Sequence, residues 1–484
     1  MRRCTLIFLL SGLAIVTLGI VFGMVIFPHV LHKKIKQQIR LERGGELYNK
    51  WVDVKIPIYM KVYFFNITNP AEFSEGEKPI LQEVGPWIYQ QRRQKVVLLT
   101  NPENDTVQFR PKITYFFRAN MSQGRTEEDV LNFVNVPLLS VISKAMSMGG
   151  FARSLIKGIV DDHAEELFVQ KTVGELLFKG YDEPMIRELS EFQGEEIMPD
   201  NQFGFYYGKN GTAQDLFEIY SGIVENEKFG MTISWKGRKD LDFWGSKYCN
   251  MINGSDGSIF PPFISRDRVI RIFSPDMCRS IYMTYHSDVE LKGVPAYRFT
   301  TPKEVMQDPR IEPENVCYCS QAVEDEDFDQ CSKAGVFRIG ACRKGAPIVA
   351  SWPHFFDGDA EYLNQSLGLR PHKMLHETFL SLEPNTGALL AASKRFQINI
   401  EIKPARYFAN VKKIPSMVLP LLWVDESVSL TDENADMLRA KLLTPLKVGS
   451  MGMFGLLGLG AILIVIAFVF IIFPCGGDNK GDKR

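Results

Sequence analysis

The stretch Cys317–Cys342 reads CYCSQAVEDEDFDQCSKAGVFRIGAC, and with Cys249 and Cys278 it gathers six of the chain's eight cysteines. Such a cluster is either a disulfide framework or a zinc site, and the compartment decides which. A zinc reading of Cys317-Tyr-Cys319 suits a cytosolic chain. Here six Asn-x-Ser/Thr triplets, at Asn66, Asn104, Asn120, Asn210, Asn253 and Asn364, mark glycosylation acceptors in an oxidising lumen. Disulfides are therefore expected, and the spacing alone leaves their connectivity open.

Working outward, both ends look like membrane anchors. Residues 4 to 32 carry no acidic, Lys or Arg side chain, and the apolar core Leu6–Phe27 ends at Pro28. A bilayer span needs about 20 apolar residues, whereas a cleaved signal has an apolar region of about 7 to 15 before a small-residue cleavage site. No such site follows, so an uncleaved anchor is expected. Met451–Phe473 repeats the pattern before Pro474 and the short tail Gly476–Arg484. The expected organisation is a cytosolic N-terminus (1–3), a membrane helix (4–28), an extracellular ectodomain (29–449), a second membrane helix (450–473) and a cytosolic tail (474–484). The flanking charges, Arg2 and Arg3 against Lys33, Lys34, Lys36 and Arg40, point the other way. Long translocated domains escape that count, so the cysteines and triplets set the orientation. Gly19 with Gly23, and Gly449, Gly452, Gly455 and Gly458, allow close helix contact, within one chain or in a homo-oligomer.

The chain has 484 residues, 45% hydrophobic and 23% charged, with a formal net charge of -1. It can bury a large core, and it lacks the basic excess that a nucleic-acid partner requires. Pro57–Phe65, Ile113–Phe117, Phe203–Tyr207 and Arg268–Phe273 are rich in β-branched and aromatic residues. Arg395–Ile402 alternates polar with apolar, as a sheet with one wet face does. With turn signals at Gly85-Pro86, Asn101-Pro102 and Asn385-Thr386-Gly387, these predict a mostly antiparallel sheet.

From Thr126 to Gly180 the period becomes helical. Thr126-x-x-Asp129 and Thr172-x-x-Glu175 resemble capping boxes, Pro137 opens one helix that stops at Gly149-Gly150, and Phe151–Val160 forms another. Leu138, Leu139, Ile142, Met146, Met148, Phe151, Leu155, Ile156 and Ile159 make this segment unusually apolar, with Lys144, Arg153 and Lys157 among them. Such a stripe is either core or a lipid or protein contact surface; flexible methionines suit the second. Lys144, Arg153, Lys157 and His163 are the candidate ligand entrance.

No catalytic constellation, cofactor motif or metal site emerges: GxSxG, P-loop and HExxH patterns are absent. His372 and His376 stand four apart, and isolated histidines are usually satisfied structural residues. Asp357-Gly-Asp359-Ala-Glu361 lacks the glycine that a calcium loop needs at its sixth position. The acidic run Glu324–Asp327 with Asp329 reads as a solvated loop.

Several motifs resemble the CD36 family of class B scavenger receptors. They are Tyr63-Phe64-Phe65-Asn66-Ile-Thr-Asn-Pro70, Glu83-Val-Gly85-Pro86, Ser258-Ile-Phe260-Pro261-Pro262-Phe263, Pro353-His354-Phe355, Glu383-Pro384-Asn-Thr-Gly387 and Leu422-Trp423-Val-Asp425-Glu426. The resemblance implies an α+β ectodomain: an antiparallel β-barrel-like core crossed by a hydrophobic tunnel, and a helical bundle, here 126–180, at its apex. It implies disulfides Cys249–Cys317, Cys278–Cys342 and Cys319–Cys331 within a disulfide-rich region 249–342, and palmitoylation candidates Cys4 and Cys475. It implies lipid partners: fatty acids, sterols, carotenoids or lipoprotein-type particles. The runner-up is an adhesion or trafficking receptor that holds a protein partner by its apex.

Two departures from the family stand out. The fatty-acid-binding relative has a lysine just before the segment matching Leu167-Phe168, where this chain has Asp162 and His163. Lys144, Arg153 or Lys157 would have to substitute. The lysosomal relative carries an acidic dileucine-type tail signal that Gly476–Arg484 lacks, which favours the plasma membrane over lysosomal or endosomal membranes.

Overall fold

A computed structural model describes residues 2–194, 196–319, 328 and 331–473. The acidic run, Cys475 and the tail lie outside these residues, as do the side-chain surroundings of Cys4.

The fold is mixed, and its centre is one antiparallel sheet. In chain order its strands are β1 (Ile58–Ile67), β2 (Leu81–Asn101), β3 (Thr106–Phe117), then, after an inserted hairpin of β4 (Val130–Val134) and β5 (Phe168–Thr172), β6 (Phe217–Tyr220), β7 (Thr232–Trp235), β8 (Ile270–Ser274), β9 (Arg279–Leu291), β10 (Val294–Thr300), β11 (Phe379–Leu382), β12 (Leu389–Ile402) and β13 (Met417–Ser429). They are ordered β8-β9-β10-β11-β12-β13-β1-β2-β3-β6-β7. Aromatic and β-branched residues dominate β1, and the apolar run Met417–Val424 of β13 is buried, so each strand presents a packing face to the interior.

The two ends of the sheet meet through a single residue. Ser255 bridges Met231, beside β7, on one side and Ile272 of β8 on the other. Its N–H donates to the Arg271 carbonyl at 3.1 Å and its carbonyl accepts from Phe273 at 2.9 Å, while Thr232 N–H donates to Gly254 at 2.7 Å. The sheet thereby becomes a nearly closed barrel. Gly254 is required there: its φ is +93°, and a Cβ would lie 2.0 Å from the Arg271 carbonyl oxygen.

The helical segment is interrupted by strands. Thr126 does hydrogen-bond Asp129, at 3.0 and 2.9 Å, but the box closes a turn before β4, and the Thr172–Glu175 box follows β5. Helices α2 (Val136–Met146), α3 (Gly150–Asp162) and α4 (Pro184–Gln193) supply the helical cluster, and α4 falls beyond the expected limit at Gly180. Val136, Leu138, Ile142, Ile156, Ile159, Met185 and Leu189 share one buried core with Val62, Phe64, Leu422 and Val424 of the barrel. Most of the apolar stripe is core. Phe203–Tyr207 is not a strand beyond Gln202–Phe203; it turns so that Phe205 and Tyr206 donate to the carbonyls of Leu176 and Leu177.

The polar face of Arg395–Ile402 is not wet either. Gln397 and Asn399 are wholly buried, because the strand Ile348–Ser351 pairs alongside and the loop at His354 covers them. Asn399 donates to Val349 and Ser351, and Gln397 accepts the His354 amide at 2.7 Å.

Three disulfides, Cys249–Cys317, Cys278–Cys342 and Cys319–Cys331, join the loops around β9. They close loops of 68, 64 and 12 residues in sequence separation, which restricts the unfolded chain most for the two long ones.

The chain divides into two compact units, and the second contains everything above except the β9–β10 turn. The first unit holds α1 (Thr5–Gln38) and α5 (Asp432–Ile472), both long and apolar enough to cross a membrane. They run together with small residues at the contact. A Cβ on Gly12 would meet the Gly460 carbonyl at 2.9 Å, and one on Gly19 would meet Leu456 at 3.0 Å. Of the glycines singled out, Gly23 and Gly449 also face the partner helix, against Met453 and Phe27, whereas Gly455 and Gly458 have open space around them. The β9–β10 turn belongs to this unit through Lys292, which pairs with Asp432 at 2.7 Å.

Gly254→Ala tests the closure. The strained φ and the carbonyl clash are expected to cost at least about 2 kcal/mol, read as a lower denaturant midpoint of the full chain in detergent. An unchanged midpoint would show that the Ser255 seam does not hold the barrel.

Candidate functional site

The barrel interior carries charge. On β2, Gln91 and Arg93 point inward; on β12 and β13 so do Lys394 and its register partner Glu426. Gln91 donates to Glu426 at 2.7 Å, Arg93 lies 3.3 Å from Glu426 and donates to Gln91 at 2.6 Å, and Lys394 reaches Asp276 at 2.6 Å and Glu426 at 3.8 Å. Asp276 sits on the loop held by Cys278, and Arg343, beside Cys342, donates to its carbonyl at 3.1 Å. Lys209 approaches the Tyr206 ring to 5.4 Å and acts on Asp276 electrostatically.

Lys394 and Asp276 keep 42% and 48% of their side-chain surface open, and Lys209 is exposed. Beside Lys209, aromatic rings pack together: Tyr115, Phe178 and Tyr206 stand 4.8 to 5.9 Å apart, and Tyr89 is 5.0 Å from Phe178.

The electrostatics follow from enclosure. The Lys394 ammonium, against the opposing effect of burial, holds Asp276 far below the usual carboxylate range, with help from Lys209 and Arg343. Burial works to raise Glu426, but Arg93, Lys394 and the Gln91 hydrogen bond outweigh it and hold it down. Burial pushes the Lys209 ammonium down. Burial also pushes the Tyr115 and Tyr206 phenols up, so both stay neutral.

Most of the expected entrance residues make local contacts. Arg153 donates to the Met148 and Met146 carbonyls at 2.9 and 3.3 Å, closing the end of α2, and stacks 5.4 Å from Tyr407. Lys157 pairs with Asp161, and His163 with Glu188 at 2.8 Å. Lys144 is exposed, with its Nζ close to Gly345. Phe151 is 86% exposed at the start of α3, outside the core. Of the glycosylation triplets, Asn104, Asn120, Asn210 and Asn364 are exposed, while Asn66 and Asn253 are half-buried, the latter next to the Ser255 seam. Among the described residues no group of His, Cys, Asp and Glu could hold a metal ion.

The quoted motifs converge on a second cluster. Glu83 accepts from His354 at 2.5 Å and from Trp423 at 2.8 Å; Trp423 stacks on Tyr63 at 4.0 Å, and His376 stacks on His354 at 4.6 Å. Burial works to raise Glu83, but the two hydrogen bonds outweigh it and keep its carboxyl low. His354 and His376 each accept a backbone amide through Nδ1, from Arg370 at 3.0 Å and His372 at 2.9 Å, which fixes the neutral tautomer. This clasp ties β1, β2, β13 and the segments that carry His354 and His376 into one wall, and its role is structural.

Sequence comparison now bears on this wall and its interior. The family model described as CD36 family matches residues 10–471. The chain belongs to the CD36 family. It is similar to rat lysosome membrane protein 2, 33% identical over 98% of this chain and 95% of the relative. It is also similar to rat scavenger receptor class B member 1, 30% identical over 95% of this chain and 87% of the relative. It is a membrane protein with two terminal apolar helices.

Two buried groups predict opposite pH responses. Burial, then His354, pulls His376 down to about 4 from 6.5. Its contribution is full above pH 6.5 and is lost as pH falls towards 4, by roughly 3 kcal/mol; His376→Gln should flatten that slope. Glu183, 4% exposed, is pushed up to about 7 by burial and then by Glu165. Its contribution is full below its ordinary 4.5 and is lost as pH rises through 7. Glu183→Gln should therefore raise stability near pH 8 by up to roughly 3 kcal/mol and leave it unchanged near pH 4. Denaturant titration across pH checks both; parallel curves for variants and native chain would refute the assignments.

Proposed function

We propose that the chain is a cell-surface scavenger-type receptor that binds lipids or lipid-carrying particles and passes apolar ligand through its ectodomain to the membrane. The observation that supports this reading is the cluster of Tyr115, Phe178 and Tyr206 rings beside the accessible charges of Lys209, Lys394 and Asp276. An acyl chain laid against those rings gains about 0.8 kcal/mol per buried methylene, so affinity needs no covalent chemistry. Kinship with scavenger receptor class B member 1 supports the receptor reading. Kinship with lysosome membrane protein 2 makes a lysosomal membrane the competing location.

Exposed Phe151, with Phe192 at 62% exposure on α4, favours one second reading, in which a protein partner docks on the helical cluster. Native mass spectrometry of the full chain released from detergent separates the two. Lipid adducts that survive delipidation of the micelle are the expected result. An empty chain that co-purifies with a stoichiometric protein would favour docking without transfer.

A further inference from the structure

We propose that the Arg279 guanidinium is the centre of a binding site for one small spherical anion, chloride, set among the three disulfides. The site is independent of the lipid-transfer reading, and its failure would leave that reading standing. Arg279 opens β9 and is only 5% exposed. Its Nη1 donates to the Val305 carbonyl at 3.1 Å and its Nε to the Ser280 carbonyl at 3.4 Å. The guanidinium also lies over two rings, 3.9 Å from the centre of Tyr318 and 4.8 Å from that of Phe337. Carbonyls and ring faces supply partial negative charge, and a buried cation needs a full counter-charge to offset its desolvation. Among the described residues, no Asp or Glu pairs with Arg279.

The space beside it fits an ion and little else. Arg279 lines a cavity of about 20 Å³ with Gln307, Asn315, Tyr318, Ser332 and Phe337, and no carboxylate is among its lining residues. A water needs about 10 to 15 Å³ by the same measure, so the cavity admits one water-sized sphere and excludes a substituted carboxylate or a phosphate. Ser332 Oγ accepts from Arg338 at 3.2 Å, which leaves its own hydrogen to donate to an anion. Asn315 is already committed, its amide donating to the Glu304 and Gln307 carbonyls at 2.9 Å each. The surroundings hold the guanidinium in place. Cys278 precedes it, Cys319 lines the cavity, and both are cross-linked. Trp244 packs on Tyr318 and Phe337 at 5.3 and 5.1 Å and donates to the Cys278 carbonyl at 2.7 Å. A cation fixed in this way cannot swing out to water, so the anion must come to it.

Denaturant unfolding of the full, oxidised chain in detergent tests the site, with sodium chloride exchanged for sodium gluconate at constant ionic strength. Chloride should raise the midpoint saturably, and bromide should replace it. At ten times the half-saturating concentration the folded-to-unfolded ratio should rise about elevenfold. Arg279→Gln should make the midpoint independent of which anion is present, and Ser332→Ala should raise the half-saturating chloride concentration at least threefold. Equal midpoints in chloride and gluconate for the native chain would overturn the proposal. A chloride effect that persists undiminished in folded Arg279→Gln would overturn it too. If Arg279→Gln does not fold, crystals of the native chain grown in bromide decide the matter: an anomalous peak beside the Arg279 guanidinium is expected, and its absence there would overturn the site.

Discussion

The Lys394 ammonium is the interaction on which the interior depends. It stands on β12, opposite Glu426 of β13, and bonds Asp276 on a loop fixed by the Cys278–Cys342 disulfide. A lone ammonium inside a barrel would be intolerable, and paired carboxylates repay its desolvation only when geometry is good. The pairs are good because rigid elements present them: two neighbouring strands supply one, and a cross-linked loop supplies the other. Had the barrel been filled with side chains, aliphatic residues of similar volume would have served at least as well. Charges retained with accessible surface beside aromatic rings make sense for a wall that meets a ligand.

The rest of the architecture holds that wall in place. The Ser255 seam closes the sheet, and the Glu83 clasp, with His354, His376, Trp423 and Tyr63, stiffens the wall that carries β1 and β13. The helical cluster shares its buried residues with the barrel core, so its helices are not an appended module. Stability is stored in the wall.

Much of this was readable from the residues. The apolar ends, β1, β12 and the helices after Pro137 follow directly from periodicity, and the motifs carried the family. Three things were not. Gln397 and Asn399 look like a wet face because alternation reports polarity, and only the added strand Ile348–Ser351 reveals that their partners are backbone and side-chain groups. The α4 helix is short, with Met185, Ile186 and Leu189 scattered among charged residues, and its amphipathic face is evident only once the core is seen. The charged cluster draws on Arg93, Lys209, Asp276, Arg343, Lys394 and Glu426, distant in sequence, and ordinary charged residues on a solvated face would read the same. Its one legible signal was the inward parity of Gln91 and Arg93 on β2, opposite Tyr115 and Ile113. The basic residues near α2 and α3 are legible because they punctuate an apolar stripe, and Arg153, Lys157 and His163 make local contacts.

The central claim is that ligand travels through the barrel and not over its surface. A long-chain lipid bearing a diazirine on its acyl chain, delivered to cells that express the full chain and photolysed, reports its position directly. Passage through the interior predicts adducts on peptides containing Tyr115, Phe178 and Tyr206. Adducts confined to exposed positions such as Phe151 and Phe192, with none on those three, would contradict it.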